Sequence, residues 1–177
     1  MLIHEAAVIQ GLIDKVVPSK ILDCGSGTRA DRTIIQPHIA AVFAGYDVVW
    51  TDFRSSLGVL ECDFTKPETL ALLPRCDLVT CCSLLEHVTN IEGALLAVVS
   101  LVDKWLILSV PLNYPIHNCP IDNGWRPTPQ RLKEELEVLG MDVVESVISG
   151  PENFGGVESA TASIVLAKKR ETAATLT

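Results

Sequence analysis

Ile21-Leu22-Asp23-Cys24-Gly25-Ser26-Gly27-Thr28 is the stretch on which the reading of this chain turns. A short apolar run stops at two glycines separated by one small residue. Such a run is a buried strand entering a tight turn, since glycine readily adopts the positive φ that a sharp reversal demands. Residues 30–44 then carry Ile34, Ile35, Ile39, Val42 and Phe43 at roughly helical spacing, with Pro37 ending or kinking the first turn. Strand, glycine turn and helix in that order open a strand–helix–strand unit.

Outward from that stretch the pattern repeats. Residues 47–52, 58–63, 77–82 and 105–110 read as further strands. Asn90 caps a helix running to residue 101, with Ala94, Leu95, Val98 and Val99 on its inner face. Thr128 as cap and Pro129 in the first turn begin another, which stops at Gly140. Residues 141–148 and 160–167 are the last two strands. Only eleven residues separate them, with Gly150-Pro151 and Gly155-Gly156 and no helical pattern, so they pair antiparallel. The predicted architecture is Rossmann-like α/β: seven strands, mostly parallel, helices on both faces, and an antiparallel last strand.

Composition bounds the function. The 177 residues are 48% hydrophobic and 20% charged, which suits one domain around one core. A formal charge of −8 repels phosphate backbones and argues against a nucleic-acid partner. Lys168-Lys169-Arg170 is the one basic cluster and reads as a solvated tail. No apolar run approaches the roughly 20 residues of a membrane span. Residues 1–18 lack the basic start of a signal peptide, so the expected location is the cytoplasm. Six cysteines without a CxxC pair are expected as reduced thiols, with no metal site.

In an open parallel sheet, ligands sit beyond the carboxyl ends of the strands. Gly25 and Gly27, with Ser26 between them, let a ligand approach the first turn closely. Asp52 ends the second strand, where a carboxylate can accept from both ribose hydroxyls. Asp63 ends the third and is placed to accept from an adenine amino group, with Phe64 beside the ring. Gly25 to Ala30 also satisfies G-x-G-x-x-A, so NAD or coenzyme A remains an alternative ligand. Three features count against it. Asp23, two residues before the first glycine, suits an ammonium group; there is no room for a separate substrate domain; and the reversed last strand departs from the usual dinucleotide-binding sheet.

In these residues the chain resembles the class I S-adenosylmethionine-dependent methyltransferases. Residues 21–28 look like their first motif, LDxGxGxG, with Arg29 in place of the third glycine. Gly45-Tyr46-Asp47-Val48-Val49-Trp50-Thr51-Asp52 looks like the strand ending in the ribose acid. Residues 76–88, ending Leu84-Leu85-Glu86-His87-Val88, resemble the "FDLV…LEHV" segment of the small-molecule branch called type 11. Residues 134–144 are similar to its "LLeeaGFeV" helix-to-strand turn. The resemblance implies S-adenosyl-L-methionine as cofactor and methyl transfer to an acceptor, expected to be a small molecule. It implies Asp23 at the amino group, Gly25, Ser26 and Gly27 along the methionine and ribose, Asp52 at the ribose, Asp63 at the adenine, and backbone of Cys82 and Ser83 beside the cofactor. In related quinone O-methyltransferases a further Glu three residues before the Glu-His pair is linked to metal dependence; here that position is Ser83, so no metal is carried over. Glu86 and His87 are expected to fasten their loop.

The expected organisation is a single domain over residues 1–177. It has an amino-terminal helical segment through residue 19, a core over 20–168, a substrate-side loop over 111–127 and a tail over 169–177. Four of the ten prolines stiffen that loop. It carries Asn113, Tyr114, Trp125 and Arg126 as candidate substrate contacts. His117 is the candidate base, by its ordinary pKa near neutrality, and Asp122 is its alternative or its orienting partner. With one short helix as cover, the site is expected to be open, which suits a bulky acceptor or a homodimer or partner subunit that completes it. A module that keeps the cofactor but has lost chemistry is the remaining alternative.

Overall fold

Three apolar helix faces and one doubly covered sheet account for the core. The computed structural model describes residues 2–27, 41–52, 58–116, 121–154 and 157–171. Within these, the elements in chain order are α1 (Ile3–Val16), β1 (Ile21–Cys24), β2 (Val48–Asp52), β3 (Leu60–Glu61), α2 (Pro67–Leu70), β4 (Cys76–Cys82), α3 (Ile91–Ser100), β5 (Val102–Asn113), α4 (Pro129–Val138), β6 (Met141–Ile148), β7 (Glu152–Phe154) and β8 (Val157–Lys169). A short 3₁₀ turn, Leu85–His87, lies between β4 and α3. Most of the helix expected over residues 30–44 lies outside the described residues.

The strand order is β3-β2-β1-β4-β5-β8-β6. β1 pairs parallel with both β2 and β4, while β8 pairs antiparallel with both β5 and β6. The chain therefore winds outward from β1 in two directions, and the order reverses between β1 and β4. That reversal opens a crevice at the carboxyl ends of these two strands.

Period-2 alternation assigns each strand residue to a face. Leu78, Ile107, Ile164 and Leu166 pack with Ala6, Ile9, Leu12 and Ile13 of α1. Their sequence neighbours Val79, Leu106, Leu108 and Val165 pack with Ala94, Leu95, Val98 of α3 and Leu132, Leu136 of α4. Burying each such side chain contributes about 1.5–3 kcal/mol. The caps are as expected: Gly93 N–H donates to the Asn90 side chain at 3.0 Å and Arg131 N–H to Thr128 Oγ1 at 3.2 Å.

Three boundaries differ from the sequence reading. β5 runs on to Asn113, so Pro111 sits in the strand opposite Ala162; the register shifts just after it, as a proline without an N–H requires. β3 shrinks to two exposed residues, because an edge strand has a partner on one side only. An eighth strand, β7, pairs with β8 inside the segment that lacked any pattern. β7 also serves α1: Glu152 accepts from the N–H groups of Ile3 and His4 at 2.9 and 2.6 Å, satisfying donors that a helix start leaves free. The five described cysteines, Cys24, Cys62, Cys76, Cys81 and Cys82, are free and buried.

Candidate active site

The glycine turn after β1 is anchored to β2 by its own backbone. Gly25 and Gly27 have φ of 76° and 70°, in the region that favours glycine. A Cβ on Gly25 would stand 2.9 Å from Leu84 Cδ1, so this turn packs tightly against the turn that follows β4. Ser26 donates to the Thr51 carbonyl from N–H at 2.8 Å and from Oγ at 3.0 Å. Gly27 N–H donates to Asp52 Oδ2 at 2.9 Å. Thr80 Oγ1 on β4 donates to Asp23 Oδ1 at 2.6 Å, and Thr51 Oγ1 donates to the Asp23 carbonyl at 2.9 Å. Asp23, Gly25, Ser26, Gly27 and Asp52 thus meet at the carboxyl ends of β1 and β2, with both carboxylates buried.

On the adenine side, Asp63 and Phe64 both have partners within the protein. Asp63 lies two residues past β3, and its Oδ1 accepts from the Thr65 N–H and hydroxyl at 3.0 and 2.6 Å. Lys66 Nζ lies 3.1 Å from Oδ2. The Thr65 hydrogen bonds, foremost the hydroxyl's, hold this carboxyl below the usual range. Its role in the described contacts is to shape the turn into α2. Phe64 is buried in the core with Leu73 and Leu95, so its ring is interior packing and not an open stacking face.

At the end of β4, Cys82 is buried and its thiol is pushed well up, chiefly by burial. Ser83 has φ of 52°, a left-handed conformation costing about 1–2 kcal/mol in a residue with a Cβ, and its N–H donates to the Ser109 carbonyl of β5 at 3.0 Å. The 3₁₀ turn Leu85–His87 follows, and the loop folds down on it. Asn123 Nδ2 donates to the Leu85 and Val88 carbonyls at 2.8 and 2.7 Å, and Asn123 N–H to the Glu86 carbonyl at 2.9 Å. A His87 ring nitrogen bonds the Ile121 carbonyl.

Within the loop, Arg126 grips Asp122 through both terminal guanidinium nitrogens, at 2.6 and 3.1 Å. Its Nε donates to the Tyr114 carbonyl at 3.0 Å. The Asp122 side chain is 1% exposed. A buried carboxylate held in this way is a poor base, because accepting a proton would break the pair. Asp122 and Arg126 therefore close the loop. Asn113 Nδ2 donates to the Ser159 carbonyl of β8 at 2.8 Å, and Trp125 packs partly buried against the core. Of the expected contacts, Tyr114 shapes the loop through its carbonyl. His117 lies outside the described residues.

Two further carboxyls are buried here, Glu5, which the sequence did not single out, and Glu86, which was expected only to fasten its loop. Glu5 of α1 is buried; its Oε2 accepts from Leu2 N–H at 2.7 Å and its Oε1 from the Ser109 hydroxyl of β5. Glu86 is also buried, and its Oε2 is the one buried side-chain polar atom without a hydrogen-bond partner among the described residues. Burial, with Glu5 acting in the same sense, pushes its carboxyl up to about 7. His87 Nε2 lies 3.7 Å from the other oxygen. No group of three metal-ligating side chains converges among the described residues.

No protein-family model matches the chain, and no curated protein matches it by sequence. Solved structures do. The 1,6-didemethyltoxoflavin-N1-methyltransferase of Burkholderia thailandensis, with 1,6-didemethyltoxoflavin and S-adenosylhomocysteine bound, superposes with a TM-score of 0.65 at 15% identity, over 94% of this chain and 78% of that one. Magnesium protoporphyrin IX methyltransferase of Synechocystis, with S-adenosylhomocysteine bound, gives 0.62 at 12% identity over 94% and 84%. Human N-acetylserotonin methyltransferase, in complex with S-adenosylmethionine, gives 0.59 at 15% identity over 94% and 52%. The chain shares its fold with these methyltransferase structures. In this fold the reversed β8 lies between β5 and β6, and the crevice between β1 and β4 is where the glycine turn and Asp23 meet.

Proposed function

We propose that this chain binds S-adenosylmethionine at the carboxyl ends of β1 and β2 and transfers its methyl group to a small molecule. The observation that carries the reading is the meeting of a positive-φ glycine turn, Asp23 and Asp52 at the point where strand order reverses. The donor set fits this cofactor. Asp23, fixed by Thr80, suits the methionine ammonium, and Asp52, fixed by Gly27, suits the ribose hydroxyls. Asp63 would hold the adenine, and Cys82 and Ser83 would offer backbone atoms beside the cofactor.

The cofactor supplies a methyl group already activated on a positive sulfur. What the chain must add is alignment, holding the acceptor within about 3–3.5 Å of that carbon and in line with the breaking bond. The loop closed by Asp122 and Arg126, docked on the turn Leu85–His87, makes a rigid wall on the β4–β5 side of the crevice. The formal charge of −8 favours a small acceptor over a polyanionic polymer. Calorimetry with S-adenosylhomocysteine, NAD and coenzyme A tests the assignment. Binding of the first alone is expected, and its absence overturns the reading.

A further inference from the structure

We propose that Glu86 takes the proton released by the acceptor during methyl transfer, and that the acceptor atom is accordingly an N–H nitrogen or an O–H oxygen. The inference rests on the methyl-transfer reading above and identifies a residue and an acceptor class within it.

The argument begins with an accounting of buried oxygens. Folding normally pairs every buried acceptor, because an unpaired one loses its hydration without return. Around the β4–β5 end of the crevice that rule is kept by Asp122, through Arg126 and Gly124 N–H, and by Glu5, through Leu2 N–H and the Ser109 hydroxyl. Glu86 Oε2 breaks it. The residue stands three positions after Ser83, in the turn packed against the glycine loop through Leu84. Its own backbone is secured, the carbonyl accepting from Asn123 N–H. The side chain alone is left with a site to fill.

The charges around it suit proton uptake. Glu5 approaches from α1, Arg126 from the loop, and His87 from the same turn. Burial foremost, and Glu5 with it, strengthen the carboxylate as a base, while the residue's own backbone N–H and Arg126 act in the opposite sense. The outcome is a base matched to neutral pH.

The step balances without a further reactant. A lone pair on the acceptor atom forms the new bond to the methyl carbon as the carbon–sulfur bond breaks, its electron pair staying on sulfur. The acceptor's proton passes to Glu86 Oε2, giving a neutral carboxylic acid that later loses the proton to water. A sulfonium and a carboxylate enter and two neutral groups leave, which a water-poor site favours.

The test uses the full chain with methyl-labelled S-adenosylmethionine and a panel of phenols, catechols and N–H heteroaromatics, beside a thioether and a tertiary amine that carry no proton. Transfer to proton-bearing members alone is expected. Glu86→Gln should lower turnover roughly 10²–10⁴-fold. S-adenosylhomocysteine affinity should be kept and Tm should not fall, and Glu86→Asp should lose less. Undiminished turnover in Glu86→Gln, or methylation of the thioether or tertiary amine, overturns the proposal. So does a loss in His117→Ala that Glu86→Gln does not share. If no panel member is methylated, ¹³C NMR of the S-adenosylhomocysteine complex decides. The Glu86 carboxyl signal, assigned by its disappearance in Glu86→Gln, should titrate near neutrality, and titration in the ordinary glutamate range overturns the proposal. Failure of the unaltered protein to bind S-adenosylhomocysteine sinks the methyl-transfer reading itself, a result distinct from the others.

Discussion

The two halves of the carboxyl edge solve the same problem differently. On the β1–β2 side, Asp23 and Asp52 are buried and each carboxylate accepts a short hydrogen bond, from Thr80 and from Gly27 N–H. On the β4–β5 side, Asp122 is paired with Arg126, but Glu86 beside it keeps a buried oxygen without a partner. The first half is a preorganised surface, with acceptors already oriented and a backbone set by glycines. The second half combines a rigid clamp with one ionisable group that folding does not satisfy. A binding surface gains from being finished before the ligand arrives. A proton-transfer group has to change charge, and that requires an environment in which both states are accessible.

The largest expected effect breaks the clamp. Arg126→Ala removes the guanidinium from the Asp122 carboxylate, whose side chain is 1% exposed. Loss of about 3–5 kcal/mol is expected, or roughly 10 °C in Tm. A urea titration showing under 1 kcal/mol would mean that the loop is held by other contacts.

The next sharpens the contrast between finished and unfinished carboxyls. Glu86 has its folded-state value raised to about 7 from 4.5, so the folded protein holds this proton more tightly than the unfolded chain does. Its stabilising contribution is fully present below the ordinary glutamate range and is lost as pH rises through about 7. The loss by pH 8 is on the order of 3 kcal/mol. Glu86→Gln should flatten that part of the stability curve. A mutant curve parallel to the native one between pH 5 and 8 contradicts it.

A smaller effect concerns the finished side. Asp52→Ala should weaken S-adenosylhomocysteine binding by about 1–3 kcal/mol while Glu86→Gln leaves it unchanged. Equal losses in calorimetry would erase the distinction between the two halves. The smallest is Gly25→Ala. The positive φ costs about 1–2 kcal/mol, and Leu84 must shift away from the new methyl group. Denaturant unfolding at the native level of stability would show that this turn relaxes freely.

The sequence by itself determined the alternation of strands and helices, the helix caps at Asn90 and Thr128, and the antiparallel pairing of the last two long strands. Periodicity reports which face of an element is apolar, and eleven residues are too few for a parallel crossover. It also located Asp23, Gly25 and Asp52, because a strand end in an open sheet is a local feature. Tertiary structure alone decided that β8 enters between β5 and β6. It also decided that Asp122 pairs with Arg126, and that Phe64 turns into the core. Glu86 shows why. As a sequence feature it read as a fastener, and the fastening is real, but its backbone carbonyl and the neighbouring His87 do it. The charge that acts on its carboxyl comes from Glu5 of α1, whose own partner Ser109 is 104 residues away along the chain. Partners of a buried polar group come from wherever the fold brings donors within about 3 Å, and no local pattern encodes that distance.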